Sequence, residues 1–281
     1  MVCSWQALLR VLPIWMRREV DRQAQGVLTE IRLRVDAPVE LVTCHGSIWL
    51  DQLATTDDLT FCINMASKYS PWTSSTIRHG YITADGGHRI GICGTCTVVD
   101  GSMTGVHSPS SVCIRVARDF QGISAELYKF NGSMLIVGRP GCGKTTLLRD
   151  LIRSISDYKK ENVCVVDEKR ELFPMNNNCT CFTPGRKTDV ISGCSKRHGI
   201  DIAIRNMSPQ TIAIDEITAP EDCCALVEAG WCGIRLLATA HAGGREDLFA
   251  RPVYKPIVQS HLFDALVIMQ PDKTWRFERM G

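Results

Sequence analysis

Residues 134–150 read MLIVGRPGCGKTTLLRD. Met134 to Val137 form an apolar run without polar alternation, the pattern of a strand buried on both faces. From Lys144 onward, LLRDLIRSI has the spacing of a helix. Between strand and helix, Gly138 to Thr145 fit the GxxxxGKT pattern, whose glycines let successive backbone N–H groups turn inward toward phosphate oxygens at the start of a helix. Gly138, Arg139, Pro140, Gly141, Cys142, Gly143, Lys144, Thr145 and Thr146 are therefore the candidate nucleotide-binding residues. Lys144 would carry its charge to the β- and γ-phosphates of ATP, and the Thr145 hydroxyl would ligate Mg2+.

A phosphate loop that hydrolyses needs an acidic partner at a neighbouring strand end. Thr211 to Ile214 supply an apolar strand ending in Asp215 and Glu216. Asp215 is assigned to the metal, with Thr145, and Glu216 to polarising the attacking water. Val163 to Val166 end in Asp167 and Glu168, with Glu171 three residues beyond, so Glu168 rivals Glu216 for the water; Asp167 can alternatively cap the next element. Arg235 to Ala240 lead to His241, which with Thr239 falls at the same sheet edge and can sense the γ-phosphate. Arg186 and Arg205 are candidates for stabilising transition-state charge, across a subunit boundary if they act as arginine fingers.

From about residue 122 onward, strands and helices alternate, which implies a mostly parallel sheet covered by helices. The region before it reads differently. Residues 5–28 form a helical pattern; Glu30–Val35, Val39–Thr43 and Gly46–Leu50 read as strands; Asp57–Tyr69 reads as a helix capped by Thr56 or Asp57. Strands follow at Tyr81–Thr83, His88–Thr97 and Val112–Val116, the first two joined by the turn signal Asp85-Gly86-Gly87. The expected organisation is a smaller N-terminal α+β domain over residues 1–121 and an α/β, RecA-like P-loop ATPase domain over residues 122–281.

In a chain of 281 residues, 32 basic and 30 acidic side chains leave a net charge of +2, a balance that gives no strong sign of a nucleic-acid partner. No stretch approaches the roughly 18 uncharged apolar residues of a membrane span, and the N-terminus lacks the pattern of a signal peptide. The expected location is cytoplasmic, with any membrane association peripheral. The fourteen cysteines read as reduced thiols, and the Cys93/Cys96 pair, without a second such pair, does not suggest zinc.

The segments GRPGCGKTTLLRDLIR, VVDEKRE, GRKTDVISGC, IRNMSPQTIAIDEI and EAGWCGIRLLATAHA, with EIRLR from Glu30 and GYITADGGHRIGICGTC from Gly80, resemble the stage III sporulation protein AA family of endospore-forming bacteria, relatives of the type II and type IV secretion ATPases. The resemblance covers nearly the whole chain. It implies a homo-hexameric ring, peripheral at the mother-cell membrane facing the forespore, that docks on membrane-embedded stage III sporulation channel proteins and hydrolyses ATP to energise an export-like channel. Carried over by position, Glu168 and Glu171 fall in the family's acidic box, Asp215 and Glu216 in its Walker B segment and His241 in its histidine box. Arg205, ahead of Ser208-Pro209, matches an arginine of the secretion ATPases. Asp215 stands where those enzymes often carry glycine, so the metal and base roles can be distributed differently. Two other readings stay open at this stage: a nucleic-acid-stimulated RecA-like ATPase, and an ATP-dependent structural scaffold.

Overall fold

The computed structural model of the chain describes residues 3–68, 80–99, 102–176 and 179–280. By packing, the chain divides into one unit of Met1–Asp119 with Pro174–Phe182 and a second of Phe120–Phe173 with Thr183–Gly281.

The first unit is a six-stranded antiparallel sheet in the order β3-β2-β1-β6-β5-β4, formed by β1 (Leu28–Arg34), β2 (Pro38–Thr43), β3 (Gly46–Leu53), β4 (Tyr81–Thr83), β5 (Arg89–Val99) and β6 (Ser102–Arg115). Every second residue of β2 is buried, and Ile31, Leu33, Val39, Leu41, Ile90 and Ile114 join the helices α1 (Trp5–Val11), α2 (Ile14–Ala24) and α3 (Thr56–Ser67) in one core. The single helix expected over residues 5–28 is broken at Pro13. Proline holds the residue before it extended, and Leu12 has ψ 148°. The third helix starts one residue earlier than its sequence signal. The Thr55 hydroxyl accepts the Asp58 N–H, and the Asp58 carboxylate in return accepts the Thr55 N–H, a complete capping box. The expected end of that helix at Tyr69 lies outside the described residues.

The Asp85–Gly87 turn joins β4 to β5 as expected. It also receives a later piece of chain: Cys181 and Phe182 close on Gly87, where a Cβ would lie 3.3 Å from each. Packing there draws the short strands β9 (Met175–Asn176) and β10 (Cys179–Thr180) into the first unit, so a single cut after residue 121 does not describe the division.

The second unit is α/β. Its seven-stranded sheet has the order β11-β8-β12-β13-β7-β14-β15, made of β7 (Met134–Val137), β8 (Val163–Asp167), β11 (Thr188–Ser192), β12 (Thr211–Ile214), β13 (Arg235–Ala240), β14 (Ala265–Met269) and β15 (Trp275–Arg279). All neighbours run parallel except β15, which returns antiparallel to β14. The central strands are buried throughout. Leu135 and Val137 pack with Ile200, Leu226 and Ile257 on one face of the sheet, and alternation puts Met134 and Ile136 on the other. The helices are α4 (Lys144–Ser154), α5 (Lys196–Ile202), α6 (Pro220–Trp231), α7 (Arg245–Ala250) and α8 (Lys255–Gln259). This is the RecA-like arrangement, in which one strand, β13, stands between the phosphate-loop strand β7 and the acidic strand β12.

Candidate functional site

Parallel strands bring their carboxyl ends to one edge, where ligands of open α/β sheets bind. Here β7, β12, β13 and β8 are followed at their carboxyl ends by Gly138, Asp215, His241 and Glu168. A cleft of about 320 Å³ lies there, lined by Pro140, Gly141, Gly143, Lys144, Thr145, Thr146, Glu171, Asp215, Glu216, Thr239 and His241.

The loop's path explains its glycines. A Cβ on Gly138 would sit 2.5 Å from the Cys142 sulfur and 2.8 Å from Met269 Cβ, closer than real atoms approach. Gly143, at φ 99°, turns the chain through the left-handed region into α4. Lys144 is buried, and its ammonium donates to the carbonyls of Gly138 (2.9 Å) and Arg139 (3.1 Å). Its Nζ also lies 3.1 Å from His241 Nδ1. An ammonium cannot accept, so Nδ1 is the acceptor and the imidazole carries its proton on Nε2. That Nε2 faces Glu216 Oε1 at 3.0 Å.

The acidic strand end is organised by Thr239. Its hydroxyl donates to Asp215 Oδ1 (2.6 Å) and accepts the Glu216 backbone N–H (2.7 Å). The other Asp215 oxygen, Oδ2, accepts the Thr145 hydroxyl at 2.8 Å, tying the phosphate loop to the acidic strand. Glu216 sits at φ 57°, an uncommon region for a residue with a side chain, and the Thr239 contact holds it there. Lys169 Nζ donates to Glu216 Oε2 at 2.6 Å. Burial alone would push the Glu216 carboxyl up, but its hydrogen bond to Lys169, with the Lys169 charge and the contact to His241, carries it below the ordinary carboxylate value. The Tyr254 hydroxyl receives the His241 backbone N–H at 3.2 Å and fixes the strand end.

The structure brings Lys144, Thr145, Asp215, Glu216 and His241 together, but Glu168 is not with them. Its carboxylate pairs at 2.6 Å with Lys196, a fully buried lysine that also lies 3.5 Å from Asp222. The reason is local. Asp167, buried at the end of β8, turns the chain by accepting the N–H groups of Glu171 and Phe173, while Arg149 holds the carbonyls of Glu171 and Leu172. The turn points Glu168 to α5 and places Glu171 on the cleft. Asp167 thus serves as a cap, and its own carboxyl is pushed up by burial against those N–H donors. Arg186 and Arg205 are exposed and outside the cleft lining. Lys169 and Lys196 were missed in sequence: a lysine after a strand carries no signal of what it will meet.

Fold and cleft together define the class: a RecA-like P-loop ATPase fold. Among solved structures, the ATPase DotB of Legionella pneumophila superposes with a TM-score of 0.59 at 15% identity, over 95% of this chain and 80% of that one. The pilus retraction motor PilT, solved with bound ADP, gives 0.61 at 14% identity, over 92% and 78%. Residues 4–276 match the family described as sporulation stage III, protein AA, and the stage III sporulation protein AA of Bacillus subtilis (strain 168) is 34% identical over 270 residues, 92% of this chain and 88% of that protein. The chain belongs to the sporulation stage III protein AA family. Among the described residues, no helix is long and apolar enough to cross a membrane.

Proposed function

We propose that the chain is a Mg2+-dependent ATP hydrolase that assembles as a homo-hexameric ring and energises an export-like channel between mother cell and forespore. The observation that carries the chemistry is the Thr145–Asp215 contact at the mouth of the phosphate loop, with Glu216 beside it on the same cleft. A hydroxyl and a carboxylate are the hard oxygen donors that magnesium takes, the rest of its shell coming from water and phosphate. Thr145 and Asp215 would hold it, and when bound it supplies charge to neutralise the phosphates.

The residues of the chain do the remainder. Lys144, now held by two loop carbonyls and His241, exchanges those acceptors for phosphate oxygens, so His241 registers arrival of the γ-phosphate through the loss of its donor. Glu216 orients the attacking water as a carboxylate. A second cleft of about 490 Å³ adjoins the loop and is lined by Phe120, Ile123, Met269 and Trp275, an apolar wall suited to a purine base. Family membership supports the sporulation setting, and the fold shared with PilT, whose structure holds ADP, supports nucleotide as ligand. Arg186 and Arg205, exposed on their own subunit, would act on a neighbour's nucleotide.

The test is steady-state hydrolysis of ATP with magnesium. Lys144→Ala abolishes it, and Glu216→Gln binds ATP but stalls, losing on the order of 10²–10⁴ in kcat, the usual contribution of a general base. Turnover that survives Lys144→Ala sinks the proposal.

A further inference from the structure

We propose that Lys169 is a positioning residue for hydrolysis: its ammonium and the His241 imidazole grip the two oxygens of the Glu216 carboxylate and hold it toward the cleft. This rests on the reading of Glu216 as the group that orients water.

Glu216 is a long side chain on a backbone in the left-handed region, and three contacts fix it. Thr239 holds its N–H, His241 its Oε1 and Lys169 its Oε2. Without the third, the carboxylate pivots about the contact to His241. Lys169 does not itself line the phosphate cleft; its charge is also felt by Glu171 and Asp215, but its hydrogen bond is to Glu216, and it is through that contact that it orients the carboxylate.

The placement of Lys169 is built into the fold. It lies in the turn that Asp167 caps through the N–H groups of Glu171 and Phe173, and that turn is pinned further where the Asp167 carbonyl accepts the N–H groups of Arg170 and Gly193. Arg149, buried, braces the same turn through the carbonyls of Glu171 and Leu172. A lysine on so braced a turn is aimed, whereas the side chain itself is half exposed. An ion pair that exposed adds little to folding stability. What its bond to Oε2 gives is orientation of the carboxylate.

The test compares the full chain with Lys169→Met and Lys169→Arg. Lys169→Met should lower kcat roughly tenfold, inside the roughly hundredfold cost of an ångström's misplacement of a catalytic group. KM for ATP and binding of a fluorescent ATP analogue should stay within about twofold, the pattern of an interaction made only in the transition state. Lys169→Arg, which keeps a donor and the charge, should recover most of the turnover. Independently of activity, a zero-length carbodiimide should join Lys169 to Glu216 as an amide, found by mass spectrometry of the digested nucleotide-free protein.

An unchanged or raised kcat in Lys169→Met overturns the inference, as does analogue binding that weakens in step with kcat, or a missing cross-link. The two levels of failure are distinct. A wild-type chain without turnover removes the hydrolase reading and this role together, whereas an active wild type indifferent to Lys169→Met removes this role alone.

Discussion

Thr239→Val removes one oxygen and preserves the shape of a fully buried side chain. That oxygen donates to Asp215 Oδ1 at 2.6 Å and accepts the Glu216 N–H at 2.7 Å. A hydrogen bond to a charged group contributes about 1.5–3 kcal/mol and a neutral one about 1 kcal/mol. Asp215 is only partly buried and can recruit water, so the lower half of that range applies, giving a total of about 2.5–3 kcal/mol. For domains of roughly 150–250 residues each kcal/mol moves Tm by about 2–4 °C, so the transition of the second unit should fall by about 5–12 °C. Catalysis should suffer separately. With its N–H released, Glu216 relaxes out of the left-handed region, and kcat should drop by at least roughly tenfold, the scale of a displaced catalytic group. Thr239→Ser keeps the hydroxyl and should restore most of both. The assays are differential scanning calorimetry and steady-state ATP hydrolysis. A Val variant with wild-type Tm and kcat, or a Ser variant as damaged as the Val variant, refutes the reasoning.

Gly138→Ala should destabilise the second unit by about 1–3 kcal/mol, the cost of overpacking, because the new methyl meets Cys142 and Met269; a lower Tm and weakened nucleotide binding by titration check it. His88, buried in the first unit, accepts the Ala117 N–H on Nδ1 and directs Nε2 to the Ser4 carbonyl, and burial holds its pKa below the ordinary value. The unfolded chain therefore takes up a proton at about pH 6.5 while the folded one still refuses it. Stability should be flat with respect to this group above that pH and fall as pH drops below it. Denaturant unfolding at a series of pH values, with His88→Gln losing the slope, tests the sign.

The strand, loop and helix around Gly138–Thr146 could be read directly because each is specified locally: apolar run, glycines, helix formers. The same holds for the Asp85–Gly87 turn and for the strand ending at Asp215 and Glu216. What stayed hidden depends on distant partners. Glu168 and Glu171 look equivalent in the string VVDEKRE, and only the Asp167 cap and the buried Lys196 decide that Glu171 faces the cleft. The run Ala265–Met269 is as apolar as β7, yet nothing near it says that it pairs with β7 through Leu266 and Leu135. Residues 174–182 carry too few apolar positions to reveal that they pack with the first unit. Thr239 could be placed at the right sheet edge, but its grip on both acidic residues follows from β13 lying between β7 and β12, a matter of strand order.

That strand order has a bearing on how the protein is made. β7 and the phosphate loop leave the ribosome well before either neighbour of β7 exists, since β13 begins only at Arg235 and β14 at Ala265. Until then β7 has two bare hydrogen-bonding edges and an apolar surface, a hazard for aggregation in a growing chain. On the proposed function, the ability to bind nucleotide is thus among the last properties the chain acquires, and a truncated product that carries the whole phosphate loop but ends before Arg235 should be unable to use it.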